Sequence, residues 1–67
     1  MMAFWNVYPD PGISHGSFRV LPYAGAAGAF IVVDTRRKPG HQRVGEPFWY
    51  LEEAALAART WNEQGYG

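Results

Sequence analysis

Short apolar stretches with the character of strands occupy most of this chain, and a helical period replaces them near the C-terminus. In residues 17–23, Phe18 and Val20 fall on one side and Arg19 falls on the other, as in a half-buried strand. Pro22 cannot donate a backbone hydrogen bond, so this strand is predicted to lie at a sheet edge or to end there.

Two further strands are predicted on either side of this one. Residues 4–8 read Phe-Trp-Asn-Val-Tyr, which favours a short strand, and a loop is expected over residues 9–17 because Pro and Gly follow. Residues 29–36 contain Phe-Ile-Val-Val, which is apolar on both faces. That pattern is typical of a central strand covered on both sides.

The chain then turns at Pro39-Gly40 and returns as a strand over residues 42–49. Gly45 and Pro47 interrupt this last strand, so it is predicted to be bulged or short. The turn and its flanks, residues 36–43, carry most of the basic residues of the chain and are called the basic hairpin below.

A helix is predicted over residues 51–64. Its apolar stripe comprises Leu51, Ala54, Ala55, Ala58 and Trp61. Glu52 and Glu53 suit the positive end of the helix dipole, and Gly65 is a plausible stop. The expected fold is therefore α+β, a single domain (residues 1–67) with a three- to four-stranded antiparallel sheet and one C-terminal helix packed on one face.

Composition narrows the functional classes. Six basic and six acidic residues cancel, so no overall field draws the chain to nucleic acid. No cysteine is present, which excludes disulfides and thiolate sites, and four Phe, four Tyr and three Trp supply apolar area instead. Neither a long apolar run nor a signal peptide is recognisable, so we expect a cytoplasmic protein that does not contact membranes.

No catalytic or metal-binding pattern stands out. His15 lies between Ser14 and Ser17, with Asp10 upstream, but neighbours in a loop do not make a catalytic triad. The two His and two Asp residues are scattered without the close spacing of metal ligands. The sequence therefore predicts a protein that is not an enzyme and that needs no cofactor or metal.

The C-terminal half resembles a known module. Gly45-x-Pro47-Phe48 is followed by Leu-Glu-Glu-Ala at residues 51–54 and by Trp61-Asn62. This stretch, with the strands from residue 18 onward, resembles a sheet-then-helix module of short uncharacterised phage and bacterial proteins, and distantly the AP2-like arm-binding domains of phage integrases. The resemblance implies the fold, and in the integrases the sheet approaches DNA. The chain departs from the module at the helix cap, where the module has a Ser or Thr and this chain has Tyr50.

Two surfaces are candidates for binding. One helix covers one face of the sheet, so apolar residues on the other face need a second cover, from the N-terminal segment or from a partner. Large aromatic residues and arginines are typical anchors of such an interface. The predicted binding residues belong to that outer face (Trp5, Tyr23 and Trp49) and to the basic hairpin (Arg36, Arg37, Lys38 and Arg43).

These features predict a non-catalytic accessory protein that binds another macromolecule, most directly another protein. Its size, neutrality and aromatic content resemble those of small phage and mobile-element proteins that inhibit host proteins, such as anti-CRISPR proteins. The alternative is a small DNA-binding module that uses the basic hairpin, which neutral net charge disfavours. A homodimer without another partner is a third possibility.

Overall fold

The computed structural model describes residues 10–65, which fold into four antiparallel strands followed by one helix. The sheet has the order β1-β2-β3-β4, so each strand pairs with its neighbour in the chain. The elements are β1 (Ser14–His15), β2 (Phe18–Pro22), β3 (Phe30–Asp34), β4 (Arg43–Phe48) and α1 (Leu51–Glu63). The predicted α+β fold is thereby confirmed, whereas the strand predicted over residues 4–8 lies outside the described residues.

The first described strand lies within the stretch that the sequence predicts to be a loop. Ser14 pairs with Arg19 and His15 pairs with Phe18, so β1 and β2 form a tight hairpin through Gly16 and Ser17. Gly16 has a φ of 60°, which the turn requires and which glycine adopts without strain. A strand of two residues next to a glycine has no periodicity of its own, which is why the sequence pattern does not reveal it.

The interruptions predicted in the strands are present. β2 ends at Pro22, as predicted, and the two-residue β1 pairs only with Phe18 and Arg19, so Pro22 lies beyond the part of β2 that β1 covers. Val44 pairs with Val32, and Phe48 pairs with Phe30. β4 therefore contains more residues between these two pairs than β3 does. This register shift bends β4 around Gly45 and Pro47.

One face of the sheet packs against α1. The buried core consists of Phe18, Val20, Val32, Val44, Ala54 and Ala58. The small alanines let the helix backbone approach the sheet closely. Trp61 tilts against Phe18 and Phe48, with ring centroids 6.4 Å away in both cases. Ala57 also packs on this core, whereas the predicted apolar stripe of the helix contains Ala55 and not Ala57.

The ends of α1 agree with the sequence pattern. Tyr50 precedes the helix in an extended conformation and makes no side-chain capping hydrogen bond. At the other end, the backbone N–H of Gly65 donates to the carbonyl of Asn62, and its φ of 69° turns the chain away. Because α1 follows β4 directly, its first turn lies at the end of the sheet opposite to the basic hairpin.

Candidate binding surface

The face of the sheet opposite α1, called the outer face, is built from the alternate residues of the strands. Since Phe18 and Val20 face the helix, Arg19 and Leu21 face away from it. The register places Val33 between Arg19 on β2 and Arg43 on β4. The outer face therefore has a cross-strand row in which two arginines flank one valine.

Tyr23 and Arg43, two of the predicted binding residues, meet on the outer face. The Arg43 guanidinium carbon lies 5.6 Å from the centre of the Tyr23 ring, a cation–π distance. The backbone N–H of Tyr23 donates to the carbonyl of Ala29, which holds the tyrosine at the end of β2. Trp5, predicted to share this surface, lies outside the described residues.

Arg19 has a partner from the loop that precedes β1. Its guanidinium forms an ion pair with the carboxylate of Asp10. The other oxygen of Asp10 accepts a hydrogen bond from the backbone N–H of Gly12 at 2.8 Å, which fixes the carboxylate in a local turn. Both side chains of the pair are partly exposed, so the pair contributes little to stability and is open to exchange.

The basic hairpin is folded around one buried carboxylate, that of Asp34. Its Oδ1 accepts hydrogen bonds from the backbone N–H and the Nε of Arg36, both at 3.0 Å, and Oδ2 accepts from Nη2 at 2.8 Å. The Arg36 guanidinium also lies 5.5 Å from the centre of the Phe18 ring. Arg36 therefore closes the hairpin end of the core, and its charge is neutralised within the chain.

This arrangement shifts both pKa values. The hydrogen bonds from the Arg36 side chain hold the pKa of Asp34 well below its ordinary value of 3.8, with further contributions from the Arg36 backbone and the Ser17 hydroxyl. Burial acts in the opposite direction and is outweighed. The pKa of Arg36 is raised in turn, because its side chain donates to Asp34. Asp34 is therefore ionised in the folded protein at neutral pH.

We expect Asp34→Asn to remove most of the acid sensitivity of folding. A carboxylate whose pKa is depressed in the folded state contributes stability above its unfolded value, and that stability is lost as the pH falls through the folded pKa. Wild-type stability should thus decline below about pH 4, and the variant should be less stable at neutral pH but lose less on acidification. Urea unfolding followed by circular dichroism between about pH 7 and about pH 2 measures this. A wild-type slope for Asp34→Asn would contradict the assignment.

The other basic residues of the hairpin are differently placed. The Nε of Arg37 is 4.0 Å from the second Asp34 oxygen, a long and partly exposed contact. The carbonyl of Lys38 accepts from the backbone N–H of His41, and the carbonyl of Arg37 accepts from the side chain of Gln42 at 2.8 Å. Two successive turns thus shape the loop and leave Lys38 exposed. Arg36 and Arg37 thus both contact Asp34, whereas Arg43 lies against the Tyr23 ring.

Trp49 and Tyr50 form an exposed aromatic pair between the sheet and the helix. Each is 65% exposed. The carbonyl of Tyr50 accepts from the backbone N–H groups of Glu53 and Ala54 at 3.1 and 3.2 Å, which ties this segment to the first turn of α1. The rings are therefore presented from a fixed backbone. Trp49 was among the predicted binding residues, whereas Tyr50 was noted only as a residue unsuited to cap the helix.

The residues considered for catalysis are separated by the sheet. Ser14 pairs with Arg19 and lies on the outer face, whereas His15 pairs with Phe18 and lies on the helix side. A shallow groove of about 300 Å³ next to β1 is lined by His15, Glu52, Ala55, Leu56 and Arg59. Leu56 is exposed there. Within residues 10–65, no three His, Cys, Asp or Glu side chains come close enough to hold a metal ion.

Comparisons with known proteins add no relative to this description. No protein-family model matches the chain, and neither a curated protein nor a solved structure matches it. In the described part of the chain, no helix has the length and apolar character needed to cross a membrane. The candidate surface therefore rests on its own geometry: the outer face with Arg19, Tyr23 and Arg43, and the aromatic pair of Trp49 and Tyr50.

Proposed function

We propose that this chain is a non-catalytic accessory protein that acts by binding and covering a surface of another protein. The observation that carries the proposal is the exposed aromatic pair of Trp49 and Tyr50. Most other described aromatic residues, such as Phe18 and Phe48, belong to the core or pack against it. Two adjacent large rings left in water are typical of an interface anchor.

The rigidity of the segment adds to this argument. Binding costs conformational entropy when flexible side chains and loops must be ordered. Trp49 and Tyr50 lie between a sheet strand and a helix, and the Tyr50 carbonyl is bonded to the first helical turn. Each ring has only two side-chain torsions to fix, so the pair can contribute apolar contact at a low entropic cost.

Inhibition of a host protein by a phage or mobile-element product is the specific role we propose within this class. A small rigid domain that covers a functional surface blocks it without any chemistry of its own. The resemblance of the chain to small phage and bacterial proteins supports this role.

The experiment compares the tagged chain with two variants in cross-linked pull-downs from its native cells, analysed by mass spectrometry. Trp49→Ala/Tyr50→Ala should recover at least about thirtyfold less of the partner, since an anchoring aromatic residue contributes 2 kcal/mol or more. Leu56→Ala, which removes an exposed apolar side chain elsewhere, should recover the wild-type amount. Circular dichroism checks that all three proteins are folded.

The alternative DNA-binding function makes a different prediction. It now depends on Arg37 and Lys38, because Arg36 is occupied by Asp34 and Arg43 lies against Tyr23. Binding to duplex or single-stranded DNA that falls steeply with salt, and falls again in Arg37→Ala/Lys38→Ala, would favour the DNA-binding module. Unchanged partner recovery by the aromatic variant would contradict the proposed surface. Sedimentation tests the homodimer.

A further inference from the structure

Three carboxylates flank the exposed aromatic pair along the chain. Glu46 precedes Trp49 on β4, and Glu52 and Glu53 follow Tyr50 in the first turn of α1. The side chains of all three glutamates are exposed. The ion pairs among residues 10–65 use the other acidic residues of the chain, Asp10, Asp34 and Glu63. The negative charges that have no ion pair in this part of the chain therefore all adjoin the aromatic pair in sequence.

The positive charges of the described residues are held elsewhere. Four of the five arginines form the ion pairs with those other acidic residues, and the fifth, Arg43, lies against the Tyr23 ring. Lys38 is exposed in the basic hairpin, at the opposite end of the sheet from the first turn of α1. His15 lines the same groove as Glu52, but within residues 10–65 no ion pair joins the two. The chain is neutral overall, yet the aromatic pair lies at an acidic end of it.

The first turn of α1 holds Glu53 beside the aromatic pair. Its backbone N–H donates to the carbonyl of Tyr50 at 3.1 Å, and residues three apart on a helical turn have Cβ atoms about 5–6 Å apart. The helix dipole favours carboxylates at this position, which accounts for the presence of Glu52 and Glu53. Both side chains remain exposed, so they can accept bonds from a partner that approaches the rings.

A partner that covers the two rings also removes water from the neighbouring carboxylates. A carboxylate buried without a cation or a hydrogen-bond donor costs free energy, so the covering surface has to supply positive charge. The faces of aromatic rings attract cations as well, and Trp does so most strongly. Two arginines of the chain already lie over aromatic rings, at 5.5 and 5.6 Å from the ring centres. The rings and the carboxylates thus favour the same kind of ligand.

We propose that Trp49 and Tyr50 bind a basic segment of the partner protein, with one cationic side chain over the Trp49 ring and a second paired with Glu53. This inference rests on the proposed function, since it names the chemistry of the protein partner. Charge complementarity selects this occupant, because an acidic or neutral segment would leave the carboxylates without a partner. The same carboxylates would repel the phosphates of a nucleic acid.

The test uses a synthetic peptide, Ser-Arg-Ser-Arg-Ser with blocked ends, and a matched peptide with Gln at both Arg positions. The two arginines of the extended peptide point to the same side, about 7 Å apart. Titration of the isotope-labelled full chain at low salt, followed by NMR, should show shifts at the indole N–H of Trp49 and the backbone N–H of Glu53. We expect a Kd of about 1 mM for the Arg peptide and at least about fivefold weaker binding of the Gln peptide, because two charged contacts are lost.

Two glutamate substitutions separate the local charge from the net charge. Glu53→Gln and Glu63→Gln change the net charge equally, but Glu63 is bonded to Arg59 near the other end of α1. Glu53→Gln should weaken binding of the Arg peptide about threefold and Trp49→Ala about fivefold, whereas Glu63→Gln should bind like wild type. In the pull-down, Glu53→Gln should likewise recover less of the partner than Glu63→Gln. Equal binding by the two Gln variants, both shown to be folded by their NMR spectra, would contradict the proposed pairing.

Two results would overturn the inference. One is the absence of shifts at Trp49 up to about 5 mM Arg peptide, the range of weak peptide contacts. The other is equal or tighter binding of the Gln peptide or of single-stranded DNA at the same residues. Trp49-dependent recovery of a partner with no response to the Arg peptide would reject only the basic segment, because the pull-down does not depend on the charge of the partner. Unchanged partner recovery by Trp49→Ala/Tyr50→Ala would reject the proposed function itself.

Discussion

Replacing Phe18 by alanine is expected to lower the free energy of unfolding by about 4 kcal/mol. Phe18 is 2% exposed and lies on β2, between β1 and β3. Its ring packs against Trp61 on one side, and the Arg36 guanidinium covers it on another. Because hydrogen-bonded strands flank β2 on both sides, the sheet cannot collapse readily into the cavity that the truncation leaves.

The expected loss is large for a domain of this size. Small domains have a total stability of about 5 kcal/mol or little more, so Phe18→Ala should leave a measurable unfolded fraction without denaturant. Urea unfolding monitored by far-ultraviolet circular dichroism measures the change. Phe18→Leu should cost less than about 1.5 kcal/mol, and Leu56→Ala on the exposed side of α1 less than about 0.5 kcal/mol. A loss below about 1 kcal/mol for Phe18→Ala would show that this ring is not central to the core.

The helix and the three longer strands could be predicted because their patterns are local. Leu51, Ala54, Ala58 and Trp61 recur at helical spacing, and the structure places all four at the sheet or in the core. The period of two in β2 likewise assigned Phe18 and Val20 to the covered face. β1 could not be found in this way, because a two-residue strand is defined by its partner and not by its own pattern.

The candidate surface was only partly predictable, because it depends on register. The meeting of Tyr23 and Arg43 requires the pairing of β2, β3 and β4, including the shift in β4. In the sequence, the four cations of the basic hairpin look equivalent, whereas in the structure Arg36 is bonded to Asp34. A signal for this was present: Asp34 follows Val32 at the spacing of a covered strand face, and a buried carboxylate requires a cationic or hydrogen-bonding partner.

Trp49 and Tyr50 show a different limit. Alternation predicts that Phe48 and Trp49 face opposite sides, and Phe48 does pack on the core while Trp49 is exposed. The sequence pattern does not predict the exposure of Tyr50. This residue follows the end of the strand and precedes the helix, so neither the strand period of two nor the helical period applies to it. The exposure of residues at such a junction depends on the path of the backbone. Here that path leaves both rings accessible to a partner.

Gly45→Ala should lower the free energy of unfolding by about 3 kcal/mol. Gly45 lies in the shifted part of β4 with a φ of 71°, where any Cβ is strained. A Cβ at this position would also lie 2.9 Å from Cη2 of Trp61. The indole is wedged between two other rings of the core, Phe18 and Phe48, so it cannot move away cheaply.

Gly28 provides a matched control that separates the backbone strain from the contact with Trp61. Its φ is 85°, and a Cβ there would meet nothing within 4 Å, so Gly28→Ala should cost only the backbone strain, about 1 kcal/mol. In a Trp61→Leu background, where the outer indole ring is absent, the additional cost of Gly45→Ala should fall to nearly the same value. Chemical denaturation of the four proteins of this cycle measures the coupling. Equal losses for Gly45→Ala and Gly28→Ala in the wild-type background would mean that the bulge in β4 is not shaped by Trp61, and that the glycine serves the turn of the backbone alone.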